Sequence, residues 1–235
     1  MTTTVKGRKS ESPDLLNGPV APMFMRMAMP IILGLLVNGL FNFVDAIFIS
    51  RVVGTDAIGG VSAAFPIHMV MISISAMLGS GMASILSRRL GAWLDEEVSA
   101  VFSSSLMLAA VVGLFISIIL LVFRIEIFTL TNLPDALLPY AVDYITPIAL
   151  FGVISFSYGT LSEAFRAEGQ NTQVMKLMAC SALLNIVLDA LFLFVFEWGV
   201  LGAAWATVCS IGFSFVYALY MLSSGTHRVK FEIQV

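Results

Sequence analysis

The chain has 235 residues, of which 59% are hydrophobic and 11% charged, with a net charge of −3 and a mean hydropathy of +0.97. A soluble domain carries about 25% charged residues, so this composition cannot cover a water-facing surface. That excludes a soluble globular domain, a disordered chain and a nucleic-acid binder, and the small net charge implies no acidic or basic partner. An all-α, polytopic membrane protein is predicted.

Residues 1–22 are polar and broken by Pro13, Pro19 and Pro22, without the compact apolar core of a cleavable signal peptide. They are expected to form an N-terminal tail. Six apolar segments follow, at 25–49, 58–86, 98–123, 139–163, 174–196 and 200–222. Each is near the ~20 residues that cross a bilayer as helix. They are too long, and too poor in period-2 alternation, for transmembrane strands. The segment 23–224 is thus expected to be one six-helix transmembrane unit, with 225–235 as a C-terminal tail. Lys6, Arg8, Lys9, Arg26, Arg88, Arg89, Arg166, Lys176, Arg228 and Lys230 fall on one side of such a topology. They are ten of the twelve basic residues, with only Arg51 and Arg124 opposite. The positive-inside rule therefore predicts cytoplasmic termini.

Ionisable groups inside spans cost at least about 2.5–3.5 kcal/mol to insert, which makes each a site candidate. Asp45 in the first span and Asp189 in the fifth stand out. Asn38, Asn42 and Asp45 are spaced i, i+4, i+7 on one helix face, and Ser181, Asn185 and Asp189 are spaced i, i+4, i+8 on another. Asp45 lies six residues before Arg51, Asp189 eight before Glu197, and Thr207 seven into the sixth segment. At the helical rise these are depths of roughly 9, 12 and 10 Å from the outer end. Two carboxylates, an amide and a hydroxyl at one level form a set of hard oxygen donors suited to Na⁺ or H⁺; no soft-metal site is expected. Lone Asn or Thr residues read as interhelical contacts. Two carboxylates at matched depth read instead as a cation or proton site.

Other chemistry is less well supported. Intramembrane aspartyl proteolysis requires a Gly-x-Gly-Asp motif, absent at Val44-Asp45-Ala46 and Leu188-Asp189-Ala190. No catalytic residue, enzyme activity or cofactor is predicted. His68 is expected to pack as a neutral ring bonded to a backbone carbonyl rather than to relay protons. Cys180 and Cys209 lie in apolar runs without a CxxC pattern and read as buried small side chains.

The stretches Asn38-Gly39-Leu40-Phe41-Asn42-Phe43-Val44-Asp45, Gly54-Thr55 and Ala64-Phe65-Pro66-Ile67 resemble the start of multidrug and toxic compound extrusion (MATE) transporters. So do Ser87-Arg88-Arg89-Leu90-Gly91, Arg166-Ala167-Glu168-Gly169, Asn185-Ile186-Val187-Leu188-Asp189 and Gly199-Val200-Leu201-Gly202-Ala203-Ala204-Trp205-Ala206-Thr207. The resemblance runs from about residue 17 to 222. It implies a secondary antiporter that exports drugs or organic cations against inward H⁺ or Na⁺. It also implies a cation site at Asp45, Asn185, Asp189 and Thr207, with Asn38, Asn42 and Ser181 in support, and a helix-1 hinge at Pro30. Small cationic or amphipathic drugs and membrane lipids are the implied partners, in a bacterial-type inner membrane.

Two departures carry expectations of their own. Ala190 stands where many relatives have proline, so the fifth helix is expected to be straighter. Relatives have two six-helix lobes and this chain matches the first. A half-length or truncated chain is therefore expected, needing a second lobe or a copy of itself. The alternatives are a flippase for lipid-linked substrates, disfavoured by scarce intramembrane basic residues, and a non-transporting membrane protein.

Overall fold

In a computed structural model, residues 20–223 are described. Helices are α1 (Val20–Val52), α2 (Thr55–Gly91), α3 (Asp95–Leu130), α4 (Leu138–Leu150), α5 (Gly152–Ala167), α6 (Asn171–Ala190) and α7 (Gly199–Ser223). A π-helical stretch, Leu191–Val195, continues α6. No strand occurs among the described residues. The expected C-terminal tail lies outside them, and α1 begins inside the segment read as an N-terminal tail.

Four of these units are long and apolar enough to cross a membrane: α2, most of α3, Asn171–Val195 and α7. The pair α4 and α5, bent by 59° at their junction, makes a fifth if counted as one span. The 33-residue α1 completes the six passes in chain order. Several helices outrun the apolar segments because their ends continue into polar sequence; α2 spans 37 residues, roughly 55 Å at the helical rise.

The fourth segment was expected to be one continuous helix and is broken instead. Pro147 lies inside α4 and lacks the N–H that would continue the ladder. Phe151 closes the helix by donating to Pro147 O at 3.1 Å. Gly152 then lets the chain press against α3, since a Cβ there would collide with Ser117 Oγ. The fifth segment, expected to be straighter, changes its winding after Ala190. Phe196 N donates to Leu191 O at 3.1 Å, five residues back, which widens the turn. Phe192, Phe196 and Trp198 stack over this widened end with centroid separations of 5.0–5.9 Å.

Each hydrophobic face has one of two destinations. On α3, Met107, Val111, Leu114, Ile118 and Val122 are exposed along one stripe, while Ser99, Phe102, Ala109 and Ser117 are buried on the other. A large apolar stripe turned outward fits a lipid-facing surface. Inside there are two apolar layers. One, toward the α1–α2 turn, contains Ile49, Ala64, Phe128, Ile145, Phe156, Leu193 and Val208. The other, toward the α2–α3 turn, contains Met82, Leu86, Phe102, Leu161, Phe165, Leu177 and Ala218. The α1–α2 turn is tight because Gly54 takes φ +114°, a left-handed conformation open to glycine.

Close helix approach depends on missing side chains. A Cβ on Gly60 of α2 would lie 2.8 Å from Leu137 O and 3.0 Å from Ala141 N. Gly113 of α3 faces Gly152 O at 3.2 Å by the same construction. The Cys180 and Cys209 thiols, expected to be buried, are exposed on the helix surface. An apolar run does not say which of its faces is outward.

Candidate functional site

The site forms where α1, α4, α6 and α7 meet. Asp45 on α1, Asn185 and Asp189 on α6 and Thr207 on α7 are all buried, with Asp189 at 0% exposure. Helical spacing places Asn185 and Asp189 one turn apart on the same face, and α7 packs along α6.

The Asn185 amide is oriented by its two neighbours. With the orientation that satisfies both, its nitrogen donates to Asp189 Oδ2 at 3.0 Å and its oxygen accepts from Thr207 N at 3.2 Å. Thr207 Oγ1 donates to Ala203 O at 3.1 Å. The hydroxyl therefore turns its proton toward its own helix and keeps a lone pair free for a cation.

The carboxylates are satisfied only in part. Asp45 Oδ1 and Asp189 Oδ1 are buried and have no hydrogen-bond partner. Asp45 lies close enough to act electrostatically on Asp189, and both charges act on the Tyr144 phenol of α4. A buried unpaired carboxylate oxygen is costly, and two such charges near one another are costlier still. Among the described residues no three His, Cys, Asp or Glu side chains converge. The donors gathered here are two carboxylates, an amide and a hydroxyl, which suit Na⁺ or H⁺ rather than a transition metal.

Asp45 is reached from outside the bundle. A cavity of about 230 Å³ opens between α1 and α2, lined by Asp45, Ile49, Ile58, Val61, Ser62, Phe65 and Tyr144. It exists because α1 leans mainly on α6 and touches α2 only lightly.

Of the residues singled out from the sequence, the structure brings Asp45, Asn185, Asp189 and Thr207 together. Ser181 is half-buried one turn further along α6. Pro30, Asn38 and Asn42 lie on α1, and their side chains fall outside the described residues. The His68 Nδ1 is buried with no hydrogen-bond partner. The ring stands edge-on to Tyr144 at 6.4 Å.

Tyr144 itself was missed. It sits six residues into α4, roughly 9 Å along the helix, and the depth count used for the carboxylates would have found it. Asp143 beside it is exposed.

Residues 30–191 match the MatE family. The chain is 29% identical over 216 residues to "Probable multidrug resistance protein YpnP" of Bacillus subtilis (strain 168), covering 88% of this chain and 46% of that protein. It is 25% identical over 180 residues to "FAD transporter" of Shewanella oneidensis, covering 77% of this chain and 40% of that one. A solved structure described as the outward-facing conformation of a multidrug resistance MATE family transporter superposes with a TM-score of 0.88 at 27% identity. The overlap covers 97% of this chain and 50% of that one. The chain thus spans about half the length of the curated relatives it matches.

Proposed function

The chain belongs to the MatE family, and we propose that it is the N-terminal lobe of an antiporter exporting drugs or organic cations in exchange for H⁺ or Na⁺. The family consists of multi-pass membrane transporters, not enzymes. The observation that carries the proposal is the pair of buried carboxylates, Asp45 and Asp189, each with an unpartnered Oδ1 beside the Asn185–Thr207 bridge.

The mechanism follows from where the two charges are mounted. Asp45 rides on α1 and Asp189 on α6, and α6 is the main packing partner of α1. With both carboxylates ionised they repel across that contact. A cation or proton entering through the cavity between α1 and α2 neutralises the pair and lets α1 settle differently on α6. Because the cavity wall is shared by α1 and α2, that shift changes its shape and releases cargo outward. Release of the coupling ion inward restores the first arrangement. The driving force is the differential affinity of ion and cargo for the two states.

The cavity lining supports an amphipathic cation as cargo. Among the described residues, one carboxylate, two aromatic rings and several aliphatic side chains line it, with no Lys or Arg. A flippase for anionic lipid-linked sugars would call for a basic wall instead. The distribution of basic residues supports cytoplasmic termini, in a bacterial-type inner membrane. Half coverage of the relatives supports pairing with a second lobe or with another copy.

The test is dye export from proteoliposomes containing the chain alone or with a C-terminal lobe of a relative supplied. Export driven by an imposed H⁺ or Na⁺ gradient is expected only with the second lobe. Gradient-driven export by the monomeric chain alone would overturn the half-transporter reading.

A further inference from the structure

A second set of buried polar groups lies on the side of the carboxylates away from the α1–α2 turn, where the two apolar layers meet. On α7, Thr207, Ser210 and Ser214 are spaced i, i+3, i+7 and all buried. They extend roughly 10 Å along the helix from the candidate ion site. On α5, Tyr158 and Ser162 are one turn apart. The Tyr158 phenol faces Ser162 on its own helix and Ser214 on α7. Tyr158 lies nine residues from the end of α5 and Ser214 nine from the end of α7, so the two helices bring them to one level.

Thr207 and Ser210 back-bond to their own helix, Ser210 Oγ donating to Thr207 O at 2.8 Å, but Ser162 and Ser214 differ from such ordinary helix hydroxyls. Ser73, Ser87 and Ser104 each donate to a backbone carbonyl one turn back, at 2.7–2.8 Å. Ser162 and Ser214 do not: at 8% and 1% exposure their Oγ atoms have no hydrogen-bond partner. Arg166 Nε, one turn beyond Ser162, is buried and unpartnered too. Ser162 and Ser214 both approach the Tyr158 phenol without a hydrogen bond of ordinary geometry, a spacing that an ordered water between them would satisfy, because an unmade buried hydrogen bond costs more than an ordered water does.

The line ends in a charged knot. Arg166 Nη1 donates to Glu163 Oε1 at 2.6 Å, and Arg166 Nη2 contacts Met178 Sδ at 3.8 Å. Gly79 of α2 lies against Glu163, and Gly34 of α1 against Met178. Four helices therefore meet around this ion pair.

We propose that a hydrated path for the coupling cation runs from Asp189 and Thr207 through Ser210, Ser214, Tyr158 and Ser162 to the Glu163–Arg166 pair. It rests on the ion-site reading above and gives that site a second door. The ion enters through the cavity between α1 and α2 and leaves between α5 and α7.

The test uses the 235-residue chain in membrane vesicles with Cys180 and Cys209 replaced by serine. Ag⁺, a small thiol-reactive cation, is applied from either face. Protection is then read as lost maleimide labelling after denaturation. Ser214→Cys and Ser162→Cys should be protected at least about tenfold faster than Leu177→Cys, an apolar buried control, from the face that carries the α5–α6 connection. Adding Ser162→Val should slow Ser214→Cys about tenfold. Protection of both path cysteines no faster than Leu177→Cys, in inserted and monodisperse protein, would overturn the path. The ion-site reading fails separately. If the path cysteines react while Asp189→Asn, measured with a C-terminal lobe supplied, leaves coupling intact, the path stands without that site. If they are inert while Asp189→Asn in that assembly uncouples export, the site stands without the path.

Discussion

Asn185 and Asp189 stand one turn apart on α6 and share a hydrogen bond of 3.0 Å from the amide nitrogen to Oδ2. That bond occupies one carboxylate oxygen and leaves Oδ1 without a partner. The same amide holds Thr207 N at 3.2 Å, so one side chain ties the α6 carboxylate to α7.

Replacing Asn185 by alanine removes a hydrogen bond to a charged group, a loss of about 1.5–3 kcal/mol. The loss is expected to shrink at acid pH or in saturating Na⁺, because either neutralises the carboxylate that the amide supported. Thermal unfolding in detergent, with and without Na⁺ and at two pH values, measures this. A loss independent of both would mark Asn185 as a packing contact.

Gly60→Ala is expected to destabilise the lobe by about 1–3 kcal/mol, as overpacking does. The added Cβ meets backbone atoms at the start of α4, Leu137 O just before it and Ala141 N within it, which cannot swing aside. Gly39→Ala and Gly81→Ala have nothing within 4 Å of the new carbon and should be neutral or slightly stabilising. Thermal stability by fluorescence-detected size exclusion distinguishes them, and equal midpoints for all three would remove the tight α2–α4 crossing.

Cysteines at Thr55 and Asp135 are expected to react with an impermeant thiol reagent in intact cells, and one at Gln170 is not. The expectation comes from the ten-to-two split of basic residues. The variants need the Cys180→Ser and Cys209→Ser background, since both native thiols are exposed. Reversed labelling would invert the topology and the direction of both ion doors.

Much of this fold was legible because a bilayer demands long apolar runs and leaves few places for charge. The depth count that matched Asp45, Asp189 and Thr207 needed only helical rise and segment ends. The break between α4 and α5 was not legible, because proline is tolerated inside membrane helices. Only the contact of Gly152 with Ser117 shows why the chain turns there. Likewise the π turn after Ala190 arises from packing at the α6–α7 connection, where Trp198 N donates to Phe192 O at 3.0 Å. The exposed faces of Cys180 and Cys209 and the unpartnered Nδ1 of His68 depend on helix rotation, which weakly amphipathic spans do not encode. Tyr144 was within reach of the depth count, and only the focus on carboxylates passed over it.

The central claim is that Asp45 and Asp189 act as one ion site. Its most direct test is export rate per inserted protein for wild type, Asp45→Asn, Asp189→Asn and the double variant, with a C-terminal lobe supplied and the H⁺ or Na⁺ gradient varied. Asparagine keeps the volume and is cheaper to bury than a charge, so insertion and expression should stay near normal. Each single variant is expected to abolish gradient-coupled export, and the double variant to be no worse than either, the non-additivity of residues acting as a unit. Normal gradient-coupled export by either single variant would contradict the account and leave the cluster as architecture.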